Sequence, residues 1–293
     1  MTLLDGIALS QTIRGELAAE VLSRMDQGLR IPHLVAVIVG ENGASLTYVN
    51  AKVKACEQVG FRSTLLSFPE SISETELLLE IERLNQDDEV DGYIVQLPLP
   101  VHIRDEVILL AINPAKDVDG FHPENVGRMA LGLSCHVPAT PMGILTMLAR
   151  YKVPTSGKHA VVVGRSHIVG LPVSILLQRN QYPGNCTVTI AHSKTANLAE
   201  LCRSADILIA ALGRPGFITA DMVKEGAAVV DVGITRVPDA TKKAGFRIAG
   251  DVDFDEVAQK CSFITPVPGG VGPMTIVSLL TNTMQAAKRR DPK

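Results

Sequence analysis

The feature that most constrains the fold is a strict alternation of strand-like and helix-like runs, carried through the first half of the chain and then begun again. Apolar residues recur at helical spacing from Ala8 to Met25, and His33–Val39 (HLVAVIV) follows as a compact β-type run. Ala44–Val59 is helical again, and Phe61–Phe68 reads as a strand. Ser73 opens a further helix, with Glu76 at the spacing of a capping box. Asp91–Val95 is a short strand that runs into Gln96-Leu97-Pro98-Leu99-Pro100. Such alternation builds right-handed βαβ units and a parallel sheet.

The pattern loosens between Asn113 and Pro138, where NPAKDVDGFHPENVG reads as a loop long enough to suggest function. Thr140–Tyr151 reads as a helix bridging two domains. The alternation restarts at His159 (HAVVVG), with strands expected at Cys186–Ala191, Ile207–Ala210, Ala228–Val232 and near Phe263. A final helix spans about Pro273–Ala287, with proline in its first turn. The two halves share an architectural style and no evident sequence match. The expectation is an α/β protein of two parallel-sheet lobes, the C-terminal one Rossmann-like, with a cleft between them. Residues 1–139, completed by the C-terminal helix at 273–293, form the first lobe, and residues 140–272 form the nucleotide lobe.

Composition supports this and excludes other classes. A length of 293 residues suits two domains, and 46% hydrophobic residues suffice for sizeable cores. With no Trp, four Tyr and seven Phe, those cores must be aliphatic, which suits parallel sheets covered by helices. The net charge of −3 argues against a nucleic-acid or anionic-membrane binder. The five cysteines are too scattered for a metal clip and fit reduced thiols in a cytoplasmic protein; the histidines offer no zinc pair, so no metal is expected. The N-terminus has no signal pattern, and no apolar run approaches the roughly 20 residues of a membrane helix.

Val161-Val162-Val163-Gly164-Arg165-Ser166-His167-Ile168-Val169-Gly170 passes from a buried strand into a helix, where a dinucleotide-binding turn belongs. Gly164 allows the tight turn, a small Ser166 admits a pyrophosphate, and Gly170 lets the helix pack near the strand. An NAD site usually carries an acid at the end of the next strand; here that strand ends in His192-Ser193-Lys194-Thr195. Arg165 and Ser193 are available for a 2′-phosphate, which favours NADP; Lys194 alone reads as a solvated surface residue.

In the first half, Thr47-Tyr48-Val49-Asn50-Ala51-Lys52 lies on the second helix. Val49, Val53, Cys56 and Gly60 form its expected buried stripe, with Tyr48 and Lys52 sharing a face beside it. A lysine at the edge of such a stripe ordinarily snorkels to water. Three other polar features weaken that reading: Gln96 just past a strand, Lys116-Asp117-Val118-Asp119-Gly120 in the long loop, and Pro266-Val267-Pro268-Gly269-Gly270-Val271-Gly272-Pro273 ahead of the last helix. Together they suggest a cleft.

The segments TYVNAKVKACEQVG, DGYIVQLPLP, NPAKDVDGFHPENVG, VVVGRSHIVGLP, HSKTANL and PVPGGVGPMT resemble the bifunctional methylenetetrahydrofolate dehydrogenase/methenyltetrahydrofolate cyclohydrolase family, in the family's order and over most of the chain. The resemblance implies NADP-dependent oxidation of 5,10-methylene- to 5,10-methenyltetrahydrofolate, followed by hydrolysis to 10-formyltetrahydrofolate. It implies catalytic roles for Lys52, Tyr48 and Gln96. Folate contacts are implied at those residues and at Leu97, Pro98, Asp119, Pro268, Gly269 and Gly272. NADP contacts are implied at Gly164, Arg165, Ser166, Ile168, Val169, Ser193 and Ile234. A homodimer, formed through the nucleotide domain, is implied as well. Ala139 departs from the cysteine the family commonly has in the PATP segment, and His167 occupies a variable position.

Hydride loss leaves a cation stabilised by both flanking nitrogens, so oxidation mainly needs orientation. Hydrolysis needs a base near neutrality, which a desolvated amine beside a cationic substrate supplies. Other readings stay open from the residues alone. A dehydrogenase of another small substrate would use the Tyr48/Lys52 pair for proton transfer, and folate dependence of NADP reduction separates the two. A non-catalytic dinucleotide sensor leaves Gln96 and both loops without purpose. ATP-dependent formate ligation lacks its phosphate-binding loop and the length for its domain.

Overall fold

The computed structural model describes residues 1–242 and 245–292, so Lys293, at the end of the expected C-terminal helix segment, lies outside the described residues. In chain order the first elements are β1 (Thr2–Leu3), α1 (Gly6–Asp26), β2 (His33–Val39), α2 (Gly43–Val59), β3 (Arg62–Phe68), α3 (Glu74–Gln86) and β4 (Gly92–Val95). Next come α4 (Asp105–Ala111), α5 (Pro123–Ala130), α6 (Ala139–Arg150), β5 (His159–Val163), α7 (Gly170–Gln178), β6 (Thr187–Ala191) and α8 (Leu198–Arg203). The chain ends with β7 (Ile207–Ala210), β8 (Ala228–Asp231), β9 (Thr235–Pro238), β10 (Phe246–Ala249), α9 (Phe254–Val257), β11 (Phe263–Ile264) and α10 (Val271–Lys288).

These elements form two compact units. One comprises residues 11–139 and 276–293, the other residues 1–10 and 140–275. The sequence pattern assigns residues 1–10 to the first lobe. They group instead with the second, because β1 pairs in parallel with β11 and extends its sheet.

The first unit holds a three-stranded parallel sheet in the order β3-β2-β4. Every residue of β2 is buried, which is why HLVAVIV shows no polar alternation. One face packs Val35, Val37, Tyr93 and Val95 against Leu77, Ile81 and Leu84 of α3 and Ile108 of α4. Helix α3 starts at the capping box: Ser73 Oγ accepts from Glu76 N, and the Glu76 carboxylate accepts from Ser73 N.

The second unit holds a six-stranded sheet in the order β1-β11-β8-β7-β5-β6, parallel throughout. Strand β5 lies between β6 and β7, so the order reverses at its C-terminal end, where ligands bind in doubly wound folds. Val161, Val163, Leu208 and Val229 pack with Ile218, Met222 and Val257 on one side.

Both sheets carry the same clamp at their N-terminal edge. His33 N donates to Asp91 Oδ2, its Nδ1 donates to Glu89 O, and its Nε2 accepts from Thr64 Oγ1. His159 N donates to Asp206 Oδ2, its Nδ1 donates to Ser204 O, and its Nε2 accepts from Thr189 Oγ1. Each histidine opens a strand flanked on both sides, and each threonine pairs with the residue two places beyond it.

Several elements depart from the sequence pattern. The long loop contains α5, a two-turn helix that buries Asn125 and Met129. Pro123 sits in its first turn and His122 Nδ1 accepts from Glu124 N. The Pro, Gly and Asn content that reads as a loop includes a helix start. Helix α4 and the antiparallel β9–β10 pair are further additions. Among the described residues of α2 the buried positions are Ser45, Val49, Lys52, Cys56 and Val59, with Ala55, so the stripe passes through Lys52, while Val53 is half-buried and Gly60 exposed.

Candidate active site

In the first unit, a polar cluster forms past the C-terminal end of β4. Gln96 N donates to Val37 O at 2.9 Å, extending the sheet by one step and fixing the backbone that carries the amide. Lys52 Nζ donates to Gln96 Oε1 at 3.3 Å, and Gln96 Nε2 donates to Leu97 O at 2.7 Å. Lys52 is only 7% exposed, against 40% for Tyr48 one turn earlier. Among the described residues no carboxylate pairs with Lys52; burying an amine that way is costly, so an amide oxygen as its neighbour marks a group kept for more than packing. Leu97 is half-buried and Pro98 exposed beside them.

The KDVDG loop is an extension of the same sheet. Tyr93 N donates to Lys116 O at 3.0 Å, and Tyr93 and Asp117 form a parallel bridge. Lys116 turns inward and its Nζ donates to Leu84 O and Asp87 O, closing the end of α3. Asp117 is buried and accepts from Gly120 N, His122 N and Asn125 Nδ2. Burial pushes the Asp117 carboxyl above its usual range. Lys116 and Asp117 are thus consumed in building the loop, and half-buried Asp119 is the acid it presents.

The PATP segment backs this loop. Ala139 N donates to Asp119 O at 3.3 Å. Gly120 has φ +77°, and a Cβ there would stand 2.6 Å from both Val137 C and Pro138 N. Asn282 of α10 donates to Val118 O and Val137 O, each at 2.8 Å, tying loop and segment together. Asn282 escapes sequence reasoning, since it is one of several polar residues on α10, among them Ser278, Thr281 and Thr283, and nothing in the sequence sets it apart.

In the second unit the turn after β5 is closed by two glycines. A Cβ on Gly164, at φ +134°, would lie 2.2 Å from Ala211 O, and one on Gly170 would lie 2.2 Å from Gly164 O. Both cradles are too narrow for any side chain. Ser166 Oγ accepts from Val169 N and Gly170 N, holding the turn at the start of α7. Arg165, Ser166 and Ile168 are exposed and Val169 half-buried. Ser193 comes just after β6 and Ile234 just after β8, both exposed. These residues therefore share the C-terminal edge of one parallel sheet. Past β6, His192 N is taken by Thr195 Oγ1, and no acid stands in the His192–Thr195 turn. Glycine cradles, exposed guanidinium and absent acid fit a dinucleotide carrying a 2′-phosphate.

Pro268, Gly269 and Gly272 belong to this second unit, on the loop into α10, apart in chain organisation from Lys52, Gln96 and Asp119. Packing around Gly269 and Gly270 is tight: Ile7 N donates to Gly269 O at 3.1 Å, and a Cβ on Gly6 would strike Gly270 O. Thr140 and Thr275 share a hydrogen bond of 3.1 Å. Two buried acids, Asp231 and Asp251, also escape sequence reasoning; the signal at Asp231 is an aspartate directly after a buried apolar run.

Among the described residues no three His, Cys, Asp or Glu side chains gather as a metal-binding group, and no helix is long and apolar enough to cross a membrane. All five cysteines are buried thiols.

The family model for the tetrahydrofolate dehydrogenase/cyclohydrolase catalytic domain matches residues 4–119, and that for the NAD(P)-binding domain matches residues 138–291. The bifunctional protein FolD of Flavobacterium johnsoniae is 62% identical, with 100% of this chain and 99% of that protein covered. Among solved structures, the bifunctional FolD methylenetetrahydrofolate dehydrogenase/cyclohydrolase of Campylobacter jejuni has a TM-score of 0.92 at 48% identity, covering 99% of each chain. The Trypanosoma brucei methylenetetrahydrofolate dehydrogenase-cyclohydrolase, complexed with NADP cofactor and inhibitor, has a TM-score of 0.93 at 39% identity, covering 99% of this chain and 98% of its own.

Proposed function

The chain belongs to the tetrahydrofolate dehydrogenase/cyclohydrolase family, and on that premise we propose that Lys52 and Gln96 carry the hydrolytic half of its chemistry. It is an NADP-dependent enzyme that oxidises 5,10-methylenetetrahydrofolate to the methenyl compound and hydrolyses that product to 10-formyltetrahydrofolate. NADP, when bound, supplies the hydride acceptor. Gly164, Arg165, Ser166, Ile168, Val169, Ser193 and Ile234 hold it, Arg165 and Ser193 at the 2′-phosphate.

Oxidation asks the protein for orientation alone, since the cation formed is stabilised by its own nitrogens. Tyr48, Leu97 and Pro98 offer surface to the pterin, Asp119 anchors its polar edge, and Pro268, Gly269 and Gly272 bring backbone to the folate. Hydrolysis asks for proton transfer. The Lys52 amine takes a proton from the water that attacks the amidinium carbon and hands it to the departing nitrogen as the C–N bond breaks, while the remaining hydroxyl proton of the adduct is released to solvent as the formyl C=O forms. Gln96 Oε1 accepts one Nζ–H and so fixes where the lone pair points. The observation that carries this reading is a lysine on a buried stripe whose partner is an amide, not a carboxylate.

On the same reading the enzyme works in the cytoplasm as a homodimer formed through the nucleotide unit; both rest on the family resemblance, and light scattering tests the second. An absorbance assay with methylenetetrahydrofolate tests the function, comparing NADP with NAD and tracking decay of the methenyl product. Absence of folate-dependent NADP reduction overturns it.

A further inference from the structure

We propose that Asp251 is a positioning residue for the dinucleotide, acting through the loop Leu212–Arg214; the inference rests on the NADP site proposed above and extends it to residues outside that site. Three consecutive backbone N–H groups of this loop converge on the one carboxylate: Leu212 N and Gly213 N donate to Asp251 Oδ2 at 2.6 and 2.9 Å, and Arg214 N donates to Oδ1 at 2.7 Å. Successive amides turned to one side form a concavity that ordinarily receives an external anion such as phosphate. Here the chain fills it with its own anion.

Asp251 is itself held. Its N donates to Asp231 Oδ1 at 2.9 Å, and Val252 N donates to Asp231 Oδ2 at 3.0 Å. Asp231 Oδ1 also accepts from Gly233 N at 2.9 Å, next to Ile234. Asp231 N in turn donates to Thr265 Oγ1 at 2.7 Å. Two glycines make the space: a Cβ on Gly250 would stand 1.9 Å from Asp231 Oδ2, and one on Gly233 2.4 Å from Asp251 N. Through their carboxylates and the Asp231 backbone, the two aspartates thus stitch together the chain segments at the ends of β7, β8, β10 and β11.

The ends of β7 and β8 share a sheet edge with the dinucleotide turn. Ala211, the residue before the loop, is the wall against which Gly164 closes, since its carbonyl leaves no room for a Cβ. With its amides committed to Asp251, the loop offers no donors to a pyrophosphate, which is left to the turn ahead of α7. The shape of the loop, and hence the wall beside Gly164, is set by Asp251.

The test is Asp251→Asn, which keeps the shape and puts an amide NH2 where an oxygen accepted. Leaving one or more of these part-buried N–H groups unpaired should loosen the loop and raise the NADP dissociation constant and KM about tenfold or more. The dehydrogenase kcat at saturating NADP and the hydrolysis of added methenyltetrahydrofolate without NADP should stay within about twofold. Unchanged NADP affinity, or hydrolysis falling in parallel with it, overturns the proposal. Thr265→Val, which removes only the outermost link, decides the matter if the first variant does not fold: it should raise NADP KM about threefold, and no change overturns the proposal. If the wild-type enzyme itself binds no NADP, the proposed function fails, a result distinct from an Asp251 variant that binds as well as wild type.

Discussion

His33 and His159 hold the same station in two different sheets. Each opens the middle strand of three neighbours (β3-β2-β4 and β6-β5-β7), donates its backbone N–H to an aspartate ahead of the third strand, and joins that strand's approach to a threonine on the second. The correspondence continues at the far edge. Gln96 N donates to Val37 O and Ala211 N to Val163 O, each acceptor four residues beyond its histidine. So Gln96, beside Lys52, and Ala211, beside Gly164, stand at matching steps of the two sheets. One βαβαβ plan is used twice, once to present an amine and once to seat a dinucleotide.

Replacing His159 with Gln removes the ring nitrogen that accepts from Thr189 while leaving a polar side chain of similar length. The loss should be about 1 to 2 kcal/mol of unfolding free energy, measured by urea titration, with hydrolysis of methenyltetrahydrofolate unchanged. A variant as stable as wild type would show the clamp to be ornamental.

Lys52→Met should lower hydrolysis of methenyltetrahydrofolate about 100-fold or more, the usual scale for losing a general base. NADP binding, measured by fluorescence titration, should not move. Near-normal hydrolysis removes Lys52 from the reaction.

Arg165→Ala should raise KM for NADP about tenfold or more and leave KM for NAD nearly unchanged, since only the former carries the phosphate a guanidinium grips. Equal effects on the two cofactors would place Arg165 elsewhere than at the 2′-phosphate.

Gly164→Ala forces a Cβ against the Ala211 carbonyl at a φ that L-residues avoid. It should abolish measurable NADP binding and lower the melting temperature, with a cost of about 2 kcal/mol or more. A circular dichroism melt and an NADP titration check both.

Two buried groups, one in each unit, respond oppositely to acid. Burial holds His136, beside Arg289, down to about 4, below the usual 6.5. Its unfolded form takes a proton first, so stability from this group is full above pH 6.5 and falls as pH drops through about 4. Burial raises Asp231 to about 6 from 3.8 despite three amide donors, so its contribution is full below about 4 and lost as pH rises through about 6. Hydrogen exchange at pH 5 and pH 7, with wild type set against single variants, isolates the two contributions: His136 lowers the protection of β2 and β4 at the lower pH, against the opposing raised Asp117 carboxyl of the same unit, and Asp231 raises that of β7 and β8. His136→Gln should abolish the first effect and Asp231→Asn the second.

Much of the fold is legible in the sequence because its signals are local. HLVAVIV and HAVVVG can be little but buried parallel strands, and the Ser73/Glu76 pair announces a helix start. What escapes is set by tertiary partners. Helix α5 hides behind the Pro and Gly that surround it, and β1 is a strand only because β11 lies beside it. At the site, residue types and strand-end positions pick out Lys52 and Gln96, yet the stripe drawn through Val53 and Gly60 misses that Lys52 is itself a buried position. Asp251 carries no sequence signal, because its work is done on amides whose direction is a matter of backbone shape.

The chain passes between its two units after residues 10, 139 and 275, so neither is a single stretch. No one cut in the gene releases a complete nucleotide unit, which needs its opening decapeptide as well as its long middle portion. A nucleotide unit taken on its own has accordingly to be assembled by joining residues 1–10 to residues 140–275.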